Sequence, residues 1–343
     1  MRKRILICGM GVIGSVYALR LAESGNEVTA LARGRRLEAL HAHGLRLSHA
    51  ILKEGEETAL IHVIDRLDQG ADYDIVLIAV RSGQIRDALL NLRENMISAR
   101  AIVVIGNNLD DLNQLSEITG KDTFVAGFGT FGGYEENGII HYLDGRTPEK
   151  NEGKNRSKTT LGIIDPSARP ALKNLLEVLN EAGLPTVESE DIPAWLLYHA
   201  ALVLPLAGAI YAVGGDQEDF CQTRDAIVLG IRSCHECFRA LKTLGYKIQP
   251  KSLQTMLLIP ERSLAAILSK RLRQESARVA IFGHANSPTG RDELDGHAVT
   301  LNTLIQRSGE SLPSWNRLYP YFDSQNKEPG IPVGSRDIRL KFW

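Results

Sequence analysis

Three glycines near the N-terminus have the spacing of a phosphate-binding turn. Gly9, Gly11 and Gly14 form a G-x-G-x-x-G motif in the stretch GMGVIG, with Val12 and Ile13 between the last two glycines. In such a motif the first glycine permits a tight turn, the second lets the backbone approach a pyrophosphate, and the third allows close packing of helix on strand. The helix N-terminus favours an anion because its first N–H groups have no partner within the helix. We therefore predict that this turn, including Val12 and Ile13, binds a dinucleotide; the alternative is a glycine-rich turn that binds nothing.

The residues after the second predicted strand are basic, in the stretch ALARGRR. Proteins that bind NAD usually place Asp or Glu about 20 residues past the motif, whereas the 2′-phosphate of NADP needs positive charge. Ala32 and Arg33 occupy that position, and a guanidinium contacts a phosphate through two parallel hydrogen bonds. We predict that Arg33 binds the 2′-phosphate and that the cofactor is NADPH. The alternative is that Arg33, Arg35 and Arg36 are a solvated helix start.

Strand and helix patterns alternate along the first hundred residues and position this turn. Strands are predicted in KRILICG, NEVTALAR, LRLSHA, ALIHVI, DYDIVLIAV and ARAIVVIGN. Helical spacing occurs in GVIGSVYALRLAESG, RRLEALHAHG and SGQIRDALLNLRENM. This order predicts an α/β fold of the Rossmann type, a doubly wound parallel sheet whose ligand lies beyond the carboxyl ends of the strands.

Past Lys121 the pattern changes. Strands are predicted in TFVAGFGTFGGYEENGIIHYLDG, KTTLGIID and PTVESE, with an exposed loop in RTPEKNEGKNRSK and a helix in PSARPALKNLLEVLNEAG. From Ile192 to about Tyr321 nearly every segment has helical period. We predict a dinucleotide-binding domain over 1–190, an all-helical domain over 191–323 that binds substrate, and a C-terminal tail over 324–343 that docks elsewhere.

The composition is that of an ordinary globular protein. The 343 residues are 43% hydrophobic and 24% charged with a net charge of −1, which excludes the disordered class and gives no global field for nucleic acid or acidic membranes. The four cysteines lack disulfide-framework spacing, so we expect reduced thiols, a cytoplasmic protein and, because CHEC has no second pair, no metal. We interpret the apolar stretch AWLLYHAALVLPLAGAIYAVGG as a buried core helix rather than a membrane span. Likewise, the N-terminal apolar run is a strand rather than a signal peptide, because it meets the glycine turn.

With these residues assembled, the chain resembles the ketopantoate reductase family, NADPH-dependent enzymes that reduce 2-dehydropantoate to pantoate. The resemblance runs from Arg4 to about Tyr321 and rests on the order of CGMGVIGSVYALRLAESGNEVTALAR, LEALHAHGLRL, DIVLIAVRSGQIRDAL and DELDGHAVTLNTLIQRSGESLP. It implies an NADPH-binding first domain and a helical second domain, of the 6-phosphogluconate dehydrogenase C-terminal type, that closes over a small-molecule substrate. It also implies a monomer or a homodimer formed through the helical domain.

The resemblance assigns several further site residues. Arg81 stands where the family has a cofactor-binding lysine, and Gln84 matches the glutamine that follows it. Asn107 matches an asparagine of the cofactor and catalytic site, and Asn108 replaces the glycine after it. The family's substrate-binding E-x-D pattern is matched by Glu293 and Asp295, although Ala298 and Val299 replace the Asn-Gly that follows.

The central helix departs from the family. Trp195 is kept, but Leu197 takes the place of the lysine that protonates the new alkoxide, and Ala201 takes that of an asparagine. Reduction of a ketone still gains about 10²- to 10⁴-fold from a positioned acid. Tyr198 and His199 are candidate donors on the same helix; His284, His297 and Glu293 are candidates on the other substrate segment. The alternative for each is an ordinary core side chain.

These observations predict an NADPH-dependent oxidoreductase that transfers a hydride to the carbonyl of a small 2-oxo acid or related ketone. The altered substrate half puts in question whether ketopantoate itself is the substrate. The alternative is a non-catalytic NADPH-binding sensor or interaction protein on the same fold.

Overall fold

The computed structural model describes residues 2–148, 156–323 and 328–341. The chain divides into two compact units, Met1–Pro193 and Ala194–Trp343. Each unit has its own elements and its own buried interior, and the two are described separately below.

The first unit is built on a parallel-dominated sheet with helices on its faces. The described strands are β1 Arg4–Cys8, β2 Glu27–Leu31, β3 Leu45–His49, β4 Glu57–Ala59, β5 His62–Ile64, β6 Asp72–Ile78, β7 Ser98–Ile105, β8 Phe124–Gly129, β9 Gly132–Glu136, β10 Ile139–Leu143, β11 Thr159–Gly162 and β12 Thr186–Glu188. The main sheet has the order β12-β11-β8-β7-β6-β1-β2-β5, in which the β8–β11 pair alone is antiparallel within the described residues. The predicted Rossmann-type doubly wound fold is confirmed.

Apolar runs explain why the central strands pair at the middle of the sheet. Ile5, Leu6 and Ile7 of β1 are fully buried, as are Val76 and Leu77 of β6. Strands of a parallel sheet that is covered by helices on both faces bury both sets of side chains and therefore read as continuous apolar sequence. The helices of this unit are α1 Val12–Glu23, α2 Gly34–His43, α3 Ser82–Glu94, α4 Leu112–Thr119 and α5 Arg169–Glu181.

One strand prediction is wrong in its pairing. The stretch ALIHVI was predicted as one strand, but Ala59 ends β4 and His62 begins β5, and these two strands belong to different sheets. Leu60 between them is fully exposed. The second sheet has the order β4-β3-β10-β9. Alternation of apolar residues predicts a strand but carries no information about its partner, so the sequence did not separate the two sheets.

The stretch RTPEKNEGKNRSK was predicted as an exposed loop, and its first residue contradicts this. Arg146 is 8% exposed. Its Nε donates to Oδ2 of Asp144 at 2.9 Å and its Nη1 donates to Oε1 of Glu54 at 2.9 Å, while Nε2 of His49 lies 3.2 Å from Oδ1 of Asp144. Burial of an arginine requires such partners. Residues 149–155 of the predicted loop lie outside the described residues.

The second unit is helical over its described residues. Its helices are α6 Ile192–Tyr211, which begins at the division between the units, α7 Gln217–Gln222, α8 Arg224–Thr243, α9 Ser252–Leu257, α10 Glu261–Leu272, α11 Glu275–Ala277, α12 Gly283–Asn286, α13 Pro288–Gln306 and α14 Pro313–Leu318. A π-helical turn over Arg278–Phe282 joins α11 to α12. Among the described helices, α6 is the one long and apolar enough to cross a membrane, yet 67% of its most apolar window is buried inside the protein. This burial agrees with the predicted core helix.

The C-terminal segment packs along the helical unit to which it belongs. Asp225, which is 4% exposed, accepts hydrogen bonds from the backbone N–H groups of Asp337 at 2.7 Å and Ile338 at 3.0 Å. Glu261, which is fully buried, accepts one from the Lys341 backbone at 2.7 Å. Residues 328–341 therefore form a strap whose backbone is held by two buried carboxylates.

Candidate functional site

The glycine turn between β1 and α1 has one open position and two crowded ones. Gly9 has φ +97°, which favours glycine, and a Cβ there would lie 2.5 Å from the Ala79 carbonyl oxygen. A Cβ at Gly14 would lie 1.9 Å from the Gly9 carbonyl oxygen, but one at Gly11 would meet no atom within 4 Å. Two glycines therefore allow the chain to pack on itself, and Gly11 leaves space beside the helix N-terminus.

That space opens on a cavity of about 650 Å³ at the carboxyl ends of β1, β2 and β6. A cavity of this size holds a cofactor-sized molecule. It is lined by Cys8, Gly9, Met10, Gly11, Leu31, Ala32, Arg33, Arg36, Val80, Arg81, Gln84, Asp87, Ala88, Asn91 and Glu135. The structure thus brings five of the predicted cofactor residues together in one cavity: Gly9, Gly11, Arg33, Arg81 and Gln84. The other four, Val12, Ile13, Gly14 and Asn107, are outside its lining.

Several lining residues were not predicted, although the sequence held a pattern for some of them. Gln84, Ala88 and Asn91 follow one another at spacings of four and three residues on α3, so they share one helix face. Extending the helix face from Gln84 would have found them. Glu135 comes from the second sheet, and only the folded chain brings it to the cavity.

The clustered arginines divide into two roles. Arg36 is tied to the turn, because its Nε donates to the Met10 carbonyl at 2.9 Å, its Nη2 to Oγ of Ser15 at 3.1 Å and its Nη1 to the Gly138 carbonyl at 3.1 Å. Arg33 is exposed and lines the cavity, whereas Arg35 is exposed and does not line it. The first turn of α1 holds no acidic residue. The cavity therefore offers an anion three arginines, Arg33, Arg36 and Arg81, beside the N-terminus of α1.

The two asparagines after β7 differ in environment. Asn108 is 3% exposed, and its Oδ1 accepts a hydrogen bond from the Asp110 backbone at 2.9 Å. Its Nδ2 is buried and has no hydrogen-bond partner among the described residues. Asn107 is half-buried. Of the two asparagines, Asn108 is therefore the one with its side chain buried inside the first unit. The resemblance aligns this residue with a glycine.

Tyr198 and His199, the predicted donors on α6, have the contacts of core side chains. The Tyr198 hydroxyl donates to the Tyr246 carbonyl at 3.0 Å, and burial raises the pKa of Tyr198 to about 12. The His199 ring stacks on the Trp195 ring with centroids 5.2 Å apart, and burial lowers the pKa of His199 to about 4. A role as proton donor stays a prediction for both residues.

The two carboxylates of the E-x-D pattern, Asp295 and Glu293, have different partners. Asp295 lies 3.2 Å from Nε of Arg291, whose guanidinium also stacks 3.6 Å from the centre of the Tyr211 ring. Glu293 instead lies beside an imidazole, with its Oε1 3.5 Å from Nε2 of His297. Asp295 therefore holds an arginine in place, and Glu293 lies beside a histidine.

A second imidazole of this segment, that of His284, lies near Glu293 and His297. Burial lowers the pKa of His284, while the negative charge of Glu293 opposes that shift and His297 adds to it. A Cβ at Gly290 would lie 2.0 Å from the His284 carbonyl oxygen, so only glycine lets α13 start against this residue. The helix start is further fixed by Ser287, whose Oγ accepts from the Gly290 backbone at 3.0 Å.

The side chains of Cys234, Glu236 and Cys237 in the CHEC stretch on α8 are buried. Cys234 and Cys237 are buried free thiols whose pKa values are raised by burial. Glu236 accepts hydrogen bonds from the backbone N–H groups of Ser314 and Trp315, both at 2.9 Å, at the start of α14. Among the described residues, we find no group of three or more His, Cys, Asp or Glu side chains arranged to hold a metal ion.

The N-terminal part of the chain is similar to a known protein family. Residues 5–149 match the family model described as ketopantoate reductase PanE/ApbA. The 2-dehydropantoate 2-reductase of Pyrococcus horikoshii is 26% identical over 192 residues, which cover 56% of this chain and 58% of that protein. The enzyme of the same name from Aquifex aeolicus is 26% identical over 219 residues, covering 61% and 64%. The chain thus matches less than two thirds of the length of these curated relatives.

Solved structures show the same fold over nearly the whole chain. D-mandelate dehydrogenase, solved with NADH and anilino(oxo)acetate, superposes with a TM-score of 0.71 at 16% identity and covers 96% of this chain and 99% of its own. The 2-dehydropantoate 2-reductase of Geobacter metallireducens superposes with a TM-score of 0.69 at 15% identity, covering 94% and 100%. The N-terminal sequence is therefore similar to the ketopantoate reductase family, and nearly the whole chain has the fold of these solved structures.

Proposed function

We propose that the protein is an NADPH-dependent oxidoreductase that reduces the carbonyl of a small 2-oxo acid or related ketone. The observation that carries the proposal is the cavity at the glycine turn, where Gly11 leaves open space beside the N-terminus of α1. Two solved structures of D-mandelate dehydrogenase, which has this fold, contain NADH, and one of them also contains anilino(oxo)acetate. When bound, a reduced nicotinamide supplies a hydride for carbonyl reduction.

The choice of NADPH over NADH rests on the end of β2. This strand ends at Leu31, and the next residues are Ala32 and Arg33 rather than a carboxylate. A carboxylate there would bind a ribose 2′-hydroxyl and repel a phosphate. Arg33 is exposed at the cavity, and its neighbour Arg36 is already tied to the turn. Arg33 is therefore the arginine that we assign to the 2′-phosphate.

Replacement of Arg33 tests this assignment, with Arg35 as a matched control. We expect Arg33→Ala to weaken NADPH binding about 10- to 100-fold, because a hydrogen bond to a charged group contributes about 1.5–3 kcal/mol. NADH binding should change less than about 3-fold, which corresponds to roughly 0.6 kcal/mol. Arg35→Ala should leave both affinities unchanged. Binding is followed by the fluorescence of the reduced nicotinamide; equal weakening of NADPH and NADH would remove the 2′-phosphate assignment.

The alternative function is a sensor that binds NADPH without turnover. It is favoured by the hydrogen bond that the Tyr198 hydroxyl already donates to the Tyr246 carbonyl, and by the burial that lowers the pKa of His199 to about 4. The two functions are separated by measuring NADPH consumption with ketopantoate and with a series of other 2-oxo acids. Oxidation with any of them supports the enzyme. Tight binding without oxidation by any of them supports the sensor.

A further inference from the structure

The second sheet of the first unit contributes a carboxylate to the cavity at the glycine turn. Glu135 lines this cavity and belongs to β9, which pairs antiparallel with β10. The two strands are joined by Asn137 and Gly138, both of which have positive φ, 51° and 79°. Asn-Gly in this conformation closes a tight two-residue hairpin. Glu135 therefore lies close to the tip of a short hairpin at the cavity.

Glu135 is on the face of the hairpin that packs against the protein. It lies directly opposite Ile140 in the strand register, and side chains of directly opposite residues share one face of a sheet. Ile140 is 1% exposed and belongs to the hydrophobic core. The next residue, Glu136, has the other face, where its Oε2 lies 3.9 Å from Nε2 of His141. A face that packs on the core is normally apolar, so a carboxylate on it requires an explanation.

Arg36 joins the tip of this hairpin to the glycine turn. Its Nη1 donates to the Gly138 carbonyl at 3.1 Å, and its Nε donates to the Met10 carbonyl at 2.9 Å. Its Nη2 donates to Oγ of Ser15 at 3.1 Å, so all three acceptors are neutral oxygens. Burial lowers the pKa of Arg36, and the negative charge of Glu135 opposes that shift. The carboxylate is therefore close enough to act on the guanidinium that braces the turn.

The pyrophosphate of a dinucleotide would bring negative charge to the same place. In a glycine turn of this type the pyrophosphate binds at the N-terminus of the following helix. Here that helix begins at Val12, and Arg36 bonds to residues on both sides of this start, Met10 and Ser15. Glu135, which acts on Arg36, is thus near the end of α1 that attracts the anion. Since like charges repel, the carboxylate opposes this attraction.

We propose that Glu135 lowers the affinity of the cavity for the pyrophosphate of the cofactor, and that Arg36 is the positioning residue that holds the hairpin of Glu135 at the glycine turn. This inference rests on the proposed function, and within it on the bound dinucleotide alone. NADPH and NADH share the pyrophosphate, so Glu135 weakens the binding of both by the same factor. Arg33 differs from Glu135 in this respect, because it is assigned to the 2′-phosphate that only NADPH carries. The lower affinity lets the oxidised cofactor leave faster after turnover.

The test compares Glu135→Gln with Glu136→Gln, which removes the same charge from the other face of β9. Both positions are exposed, so neither substitution should alter the fold. We expect Glu135→Gln to tighten the binding of NADPH, NADH and ADP-ribose by one common factor of about 3- to 10-fold, the size expected for a unit charge near the protein surface. Adenosine 2′-monophosphate, which has no pyrophosphate, should change less than about 2-fold. Glu136→Gln should leave all four affinities unchanged. Isothermal titration calorimetry measures these affinities.

Two further measurements test how Glu135 acts. The gain in NADPH affinity should shrink as the salt concentration rises from about 0.05 M to about 0.5 M, because salt screens exposed charges. Arg36→Lys keeps the positive charge but loses the planar fork that bonds to Met10 and Gly138 together. In that background, Glu135→Gln should tighten NADPH binding less than about 2-fold, because the hairpin is no longer held at the turn.

The outcomes separate this proposal from the proposed function. If wild type and Glu135→Gln bind NADPH and NADH with equal affinity, the role of Glu135 is overturned and the oxidoreductase stands. A gain for NADPH alone also overturns it, because it would place Glu135 at the 2′-phosphate. An undiminished gain in the Arg36→Lys background overturns the positioning role of Arg36. A wild type that binds neither NADPH nor NADH overturns the proposed function and this inference together.

Discussion

Alanine at Gly14 and alanine at Gly11 should damage the protein in different ways. Both glycines belong to the same turn, but a Cβ at Gly14 would lie 1.9 Å from the carbonyl oxygen of Gly9 and 3.4 Å from Cγ2 of Ile7. A Cβ at Gly11 would meet nothing within 4 Å. The pair therefore separates the packing role of the motif from its binding role.

The expected magnitudes follow from these distances. At Gly14 the helix must move by about 1 Å or more away from backbone, and overpacking of this kind costs about 1–3 kcal/mol, occasionally more. Because alanine has a higher helix propensity than glycine, the substitution also contributes up to about 1 kcal/mol of stability. We therefore expect the free energy of unfolding to fall by about 2 kcal/mol in total. At Gly11, the reduced freedom of the unfolded chain contributes about 0.4–1 kcal/mol of stability, which offsets the poorer N-cap. The stability of Gly11→Ala should therefore stay within about 0.5 kcal/mol of wild type.

Urea unfolding followed by circular dichroism measures the stabilities, and nicotinamide fluorescence measures the binding of NADPH. Gly11→Ala should weaken binding at least about 10-fold, because the methyl group occupies the space where the pyrophosphate approaches the backbone. Gly14→Ala should lower the urea midpoint. If Gly11→Ala binds NADPH like the wild type, the open space beside α1 is not the phosphate site. If Gly14→Ala unfolds like the wild type, the close contact of helix and turn is not required.

Two further predictions concern buried carboxylates. Asp225→Ala should lower the free energy of unfolding by about 3 kcal/mol, because Asp225 accepts two backbone hydrogen bonds from the strap. The same substitution should cost less than about 1 kcal/mol in a chain ending at Asp323; an equal cost in both chains would show that the strap contacts contribute nothing. For Asp144, burial alone would raise the pKa, but His49 and Arg146 outweigh it and lower the pKa from 3.8 to about 2. A lowered pKa stabilises the folded protein above the unfolded value and loses that effect below it, so Asp144→Asn should cost about 2 kcal/mol at pH 7 and progressively less as the pH falls from about 4 to about 2. A cost that does not change over that range would contradict the ion-pair assignment.

Local sequence patterns were enough for most elements of the first unit and for the glycine turn beside its cavity. Apolar runs of strand length, helical periodicity and the G-x-G-x-x-G spacing act over neighbouring residues, so they can be read without knowing the fold. The helix α4, which the sequence analysis omitted, also has a local signal, because Asp111 caps it through the Asn113 backbone N–H at 3.0 Å. The count from the glycine motif to Arg33 likewise led to a residue that lines the cavity.

Tertiary structure decided what depends on residues far apart in the chain. The sequence could not separate Arg33 from Arg36, since the second is held by Gly138, 102 positions away. The sequence also could not show that ALIHVI contributes strands to two different sheets, because packing determines which strands pair.

The helical unit shows the same limit more strongly. Tyr198 is occupied by a carbonyl 48 positions away, and Asp225 is buried by backbone more than 110 positions away. Helical spacing alone does place Glu293 and His297 on one face, but their burial and the approach of His284 come from packing between helices. The sequence by itself determined the fold class and the glycine turn, because short-range patterns specify both. Only the folded chain decided which side chains are available as proton donors, because burial and hydrogen-bond partners depend on long-range contacts.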